Sequence, residues 1–216
     1  EPAAGAILQA SGTGSASYGS ILIQPSGGAA RTISGAATAG TGLVQLNGAD
    51  YVTFDGLNAG GNSLTIQNTT VSSTSGTSTI HLQGDATFNT FINLNVNGAG
   101  TMAVGTNGGN FWFGASSLTT GQDNNLISNC KIGPVGTSYP TKGVYSNGTT
   151  TTAGQYNSKN TVTNCEIYDY FGTAAQSAGI YITSGSTEWT ITNNKFYQTV
   201  SKTQTTGSIH AAIQIG

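Results

Sequence analysis

His81, Trp112, Tyr145 and Tyr181 each stand at the centre of a short triplet with apolar neighbours, and the triplets recur along the 216-residue chain about every 34 residues. Gln45, in Val44-Gln45-Leu46, and Gln214, in Ile213-Gln214-Ile215, extend the series at either end. Successive side chains of a strand point to opposite faces. If the flanking apolar residues face a core, these central residues face out. Stacked at the roughly 4.8 Å spacing of neighbouring strands, they form an exposed aromatic stripe, a candidate ligand-binding surface for sugar rings or a partner protein. The competing expectation is that a loop, for instance 114–125 or 147–160, folds over the stripe.

Cys130 and Cys165 are the other residues that invite chemistry, because they occupy the same place in two similar phrases, "ISNCKI" and "VTNCEI". Two sulfurs supply half a structural zinc site, and neither His81 nor His210 shares their column. A buried reduced pair and a disulfide are both open, with parallel Cβ atoms set slightly too far apart for a relaxed bridge. No metal and no cofactor is expected. Asp50 and Asp85 fall at similar turn positions, as do Asp123 and Glu188 more loosely. A glycoside hydrolase needs two carboxyl groups converging at about 5 to 10 Å. Turn formation explains these acids without catalysis. A calcium-dependent lyase wants clustered acids and a base, yet Arg31 is the one arginine and lies outside both columns of the repeat. No catalytic residue is therefore assigned.

The elements that place these residues are repeats. One column runs Phe54, Phe91, Ile127, Val162, Ile191 in steps of 37, 36, 35 and 29 residues. A second runs Val44, Ile80, Phe111, Val144, Ile180, Ile213, and the two interleave. Runs of four to six alternating residues bounded by Gly and Asn read as strands. A unit of two or three short strands cannot bury its apolar side alone, but like strands stacked on like build a continuous core. The expected fold is all-β, a right-handed parallel β-helix of about six coils of roughly 34 residues, the hand following the crossover rule. A β-propeller is the runner-up. Residues 1–40 read as an irregular first coil or cap, and 41–216 as regular coils of one domain continuing beyond the C-terminus. Gly56, Asn93, Asn129, Asn164 and Asn193 recur two places after the first column, an expected amide ladder at a bend. Leu57, Leu94, Cys130 and Cys165 follow as core positions. Next come Asn58, Asn95, Lys131, Glu166 and Lys195, an outer row of alternating charge whose ion pairs would each contribute roughly 0 to 1 kcal/mol.

Composition narrows the partners. Six Lys and Arg against eight Asp and Glu give a net charge of -2. Nucleic-acid binding, which rests on clustered cations, is not expected. No run approaches the roughly 20 apolar residues of a membrane-spanning helix. Few charges with abundant Ser, Thr, Asn and 32 glycines suit an extracellular setting.

The run "LNGADYVTFDGLNAGGNSLTIQNT", then "STIHLQGDATFNTFINLNVNG" and the "ISNCKI" coils, resembles the parallel β-helix regions of very large secreted surface proteins of Bacteroidetes bacteria. The resemblance covers roughly residues 40 to 200. It implies the wider pectate-lyase-like superfamily, export through the type IX secretion pathway and a location at the bacterial cell surface. That superfamily holds both enzymes and inert modules, and its catalytic acid clusters find no matching positions here. The expectation is a non-catalytic module for adhesion or structural display, with a glycan or another surface protein as partner. The alternative is a carbohydrate-active module, a polysaccharide lyase or glycoside hydrolase.

Overall fold

In a computed structural model, which describes residues 5–59, 63–173, 175–205 and 207–216, three parallel sheets wind into a β-solenoid of about six turns. Sheet A stacks Ala6–Gln9, Gly42–Asn47, Ser78–Gln83, Gly109–Phe113, Lys142–Ser146, Ser177–Ile182 and His210–Ile215. Sheet B holds six short strands, from Ile21–Ile23 to Thr190–Thr192, and sheet C six more, from Arg31–Gly35 to Lys195–Tyr197. Each coil passes through A, B and C in turn.

Both apolar columns are in register. Val44, Ile80, Phe111, Val144, Ile180 and Ile213 pair successively across sheet A. Phe54, Phe91, Ile127, Val162 and Ile191 do so across sheet B. They meet in one core, where Phe91 stacks on Phe54 at 5.4 Å and takes the edge of Phe111 at 5.2 Å. The expected burial of the whole column fails at its end. Ile213 is 43% exposed, because it lies on the last described strand of sheet A and no further strand covers it.

Within residues 1–40, of which 1–4 lie outside the described residues, the chain supplies one strand to each sheet. Ala6 pairs with Val44, Ile21 with Val52 and Ile33 with Ile66. A methyl group stands at Ala6 where later coils carry Val, Ile or Phe, and the loop between Gln9 and Ile21 stretches the interval; both hide the repeat. Leu57 and Asn58 also fall outside their assigned columns. Leu64 is the residue paired with Leu94, and Thr65 with Asn95, since the second coil inserts residues between sheets B and C.

Two of the three corners carry a left-handed residue at a place that recurs from coil to coil. From A to B these are Tyr51, Phe88, Asn124, Lys159 and Glu188, with φ between 54° and 57°. From B to C they are Asn93, Asn129, Asn164 and Asn193, at 52° to 57°. Where a described coil follows, the corner amide donates to it, as from Phe88 N to Asp123 O at 3.1 Å and from Asn129 N to Thr163 O at 3.2 Å. Left-handed backbone costs a non-glycine residue roughly 1 to 2 kcal/mol, least for Asn, which accounts for the recurring asparagine. The expected ladder of amides is not at this column. It lies at the preceding corner, where Asn89, Asn125 and Asn160 are fully buried.

In that ladder Asn125 Oδ1 accepts from the Asn89 amide N–H (2.9 Å) and from Asn89 Nδ2 (3.0 Å). Asn160 Oδ1 does the same for Asn125, at 2.9 and 3.1 Å. Asn89 Oδ1 serves Val52 N at 2.9 Å. A parallel row follows three residues earlier, with Gln122 Oε1 accepting from Ala86 N and Asn157 Oδ1 from Gln122 N. Corner amides that point into the interior have no water, so these side chains supply the acceptors they would otherwise lack. In the sixth coil Trp189 takes the ladder position and its indole Nε1 donates to Asn157 O at 3.0 Å.

Cys130 and Cys165 are free, buried and on adjacent coils, in the column of Leu64 and Leu94. Burial pushes the Cys130 thiol up. The unreduced protein should therefore show the mass of two thiols, and both should resist alkylation until unfolded; a mass two protons lower would reveal a bridge. Replacing Cys165 with Ser puts a hydroxyl in the core and should cost about 1 to 3 kcal/mol.

Candidate functional site

The stripe is in register but is not exposed. His81 pairs with Gln45 and Trp112, and Trp112 with Tyr145, Tyr145 with Tyr181 and Tyr181 with Gln214. His81 and Tyr145 retain only 6% and 2% of their accessible surface, and Gln45 is buried too. Trp112, Tyr181 and Gln214 are half-buried. The outward alternation holds; the exposure does not.

Two things close the surface. The His81 imidazole lies flat on the Trp112 indole, with centroids 3.7 Å apart and planes at 5°. The indole Nε1 donates at 2.7 Å to Oδ1 of Asn147, the residue directly after the strand Lys142–Ser146. Tyr145 is roofed instead by the loop between sheets C and A, and its hydroxyl donates to Gly105 O at 3.3 Å. The 114–121 segment is held at the A-to-B corner by Asp85. That carboxylate accepts from Ser116 Oγ, from Thr119 N at 2.6 Å, from Thr120 N at 2.9 Å and from Gly121 N at 3.0 Å. Partial burial alone would raise its pKa, but these donors outweigh burial and hold it at about 2.

Burial holds the His81 imidazole down at about 3, and its Nε2 is buried without a hydrogen-bond partner. The unfolded chain takes up a proton near 6.5 while the folded one does not until near 3, so folding stability rises as pH rises through that window. Urea midpoints should increase from pH 4 to pH 6.5, and His81→Phe should flatten the rise. An unchanged slope in the variant would show that His81 is solvated.

Sequence reasoning missed Lys142. It follows Thr141 on sheet A, outward and fully buried under the same loop as Tyr145. Its Nζ donates to Ala103 O at 3.1 Å, Val104 O at 3.0 Å and Thr106 O, and sits 4.3 Å from the centre of the Tyr145 ring. Among the described residues no carboxylate pairs with it, and burial lowers its amine to about 7. Nothing in "TKGVYS" signals this, because the cover comes from a loop nearly 40 residues earlier.

Three of the four carboxylates weighed as catalytic candidates, Asp50, Asp85 and Asp123, are engaged by the scaffold, while Glu188 is exposed at its corner. Asp50 Oδ1 accepts from Thr87 N and Oγ1, Asp55 from Leu57 N, Asp123 from Ser158 N and Asp169 from Thr199 N. In the outer row Lys131, Glu166 and Lys195 stack in register. Glu166 accepts from Tyr197 Oη at 2.7 Å, and this bond, with both lysines nearby, holds its carboxyl below the usual range. Among the described residues no group of three His, Cys, Asp or Glu converges as a metal site.

Two open surfaces take the place of the stripe. A cleft of about 410 Å³ lies between loops at the C-to-A corner, lined by Tyr139 and Phe171 with the hydroxyl residues Thr101, Thr137, Ser138 and Thr173. A smaller groove of about 200 Å³ lies at the A-to-B corner, lined by Ala10, Ser11, Tyr18, Gly19, Asp50 and Tyr51. Beside it the Tyr51 and Phe88 rings stack at 5.3 Å, 54% and 48% exposed.

The fold and its surfaces define a parallel β-solenoid. No protein-family model matches the chain, and neither does any curated protein or solved structure.

Proposed function

We propose that the chain is a non-catalytic module of a larger secreted or cell-surface protein, a rod for adhesion or structural display, carried outward by the type IX pathway that its resemblance implies. The observation that supports this reading is the use of the acids: Asp50, Asp55, Asp85, Asp123 and Asp169 all accept hydrogen bonds from turn or corner groups, the work of a scaffold. Glycoside hydrolysis needs two carboxyl groups converging on the substrate, and of the four acids weighed only Glu188 is without a hydrogen-bonded role in the scaffold among the described residues. The purified protein should release neither reducing ends nor unsaturated uronides from polygalacturonate and neutral polysaccharides. Turnover above buffer would overturn the non-catalytic part. Antibodies raised against it should label intact source cells; labelling only after permeabilisation would overturn the surface part.

A second reading, a carbohydrate-active module, loses the stripe as its platform, since His81 and Tyr145 are buried. What favours it is the cleft between Tyr139 and Phe171, with aromatic rings and hydroxyl groups and no charged lining residue. A glycan array read with wild type and Tyr139→Ala tests it, with loss of signal in the variant as the expected result.

A further inference from the structure

We infer that Tyr51 and Asp50, with Tyr18 and Ser11, form a binding site for one neutral sugar ring of a glycan. This deepens the surface-module reading by giving it a ligand class.

Backbone geometry raises the question first. Tyr51 and Phe88 hold left-handed φ values of 56° and 55°, a conformation that bulky side chains disfavour. Later coils put Asn124, Lys159 and Glu188 at the same corner, so the turn does not need a ring. Nor does the core, because both rings project into solvent. Strain of this kind, returned only by the stack of the two exposed rings on each other, points to use by something outside the chain.

The groove supplies the chemistry. Phe88 covers one face of Tyr51. The first-coil loop carrying Ser11 and Tyr18 lies on the other side, tied by the bond from Ile21 N to Tyr51 O at 3.2 Å. A pyranose presents weakly positive C–H groups on its faces, which suit the negative face of an aromatic ring. Asp50 uses Oδ1 for Thr87, leaving Oδ2 to accept from a sugar hydroxyl. The Tyr18 hydroxyl is directed at Gln9 O, at 2.5 Å, which orients its ring as a wall. At about 200 Å³ the groove is smaller than the roughly 300 to 1,000 Å³ of drug-sized sites, the size for a single ring. The lining holds a carboxylate and no cation, which excludes uronates, sulfates and phosphates.

Methyl glycosides of glucose, galactose, mannose, xylose and N-acetylglucosamine, titrated to about 20 mM and followed by NMR, test the site, single sugars binding on the order of millimolar. At least one should perturb Tyr18 and Tyr51 resonances. Tyr51→Asn places at this corner the residue that Asn124 supplies two coils on, so it should keep the wild-type melting temperature while weakening binding at least tenfold. Unchanged affinity in that variant overturns the proposal. So does the absence of binding by all five glycosides, binding that maps to Tyr139 and Phe171, or choline chloride binding in their place, which would mark an ammonium cage. Each of these leaves the surface-module reading standing, since cell labelling decides that separately.

Discussion

Asn125→Leu should lower the stability of the protein by about 3 to 5 kcal/mol, a loss large enough to be read directly from urea midpoints. Leucine matches the volume but removes the acceptor of the Asn89 N–H and the donor to Ala86 O at 3.1 Å, both fully inside the solenoid. Each orphaned buried group costs about 1 to 3 kcal/mol. Asn129→Ala, at the neighbouring corner, is the control. Its side chain is exposed, and its own amide still reaches Thr163 O, so only the left-handed preference of Asn is lost, about 1 kcal/mol. Equal losses in the two variants would show that the buried amides are dispensable.

The second large effect is alkaline. Folding lowers the Lys142 amine from 10.5 to about 7, through burial. Between those values the unfolded chain binds a proton that the folded one does not, so stability rises with pH from about 7 to 10.5, by a few kcal/mol in total. Lys142→Met keeps the length of the side chain and has nothing to titrate. Its stability should show no rise over the same range, and hydrogen exchange should show the 101–108 loop opening more often, because Ala103, Val104 and Thr106 lose their shared donor. A variant that still gains stability above pH 7 would place the titrating group elsewhere.

The stacking order was legible in the sequence because inward apolar residues must recur wherever strands of successive coils overlie each other. Phe54, Phe91 and Ile127 are large apolar residues at nearly constant spacing, and their register follows. Insertions defeat that logic locally. Leu57 looked like the partner of Leu94, yet Leu64 is. The asparagine columns show a subtler limit. Asn129 and Asn125 differ by four places, and both recur from coil to coil, but one makes a left-handed bend and the other satisfies buried amides. Recurrence alone does not say which. Exposure was the least legible property, because His81 and Tyr145 are outward on their strand and become buried only through a stacked neighbour and a loop whose course no local pattern announces.

The two tryptophans of the chain stand at Trp112 and Trp189, in the fourth strand of sheet A and at the ladder position before the last strand of sheet B. Their emission therefore reports on the C-terminal part of the rod and is blind to the coils that begin at Ala6 and Gly42. Solenoids open by nearest-neighbour steps, so local fraying at either end need not be seen by every probe. Far-UV ellipticity weighs all coils alike. If unfolding starts from the first coil, ellipticity will fall at lower urea than fluorescence, and a two-state fit to emission alone will overstate the stability of the whole. Coincident curves would mean that the rod opens as one unit.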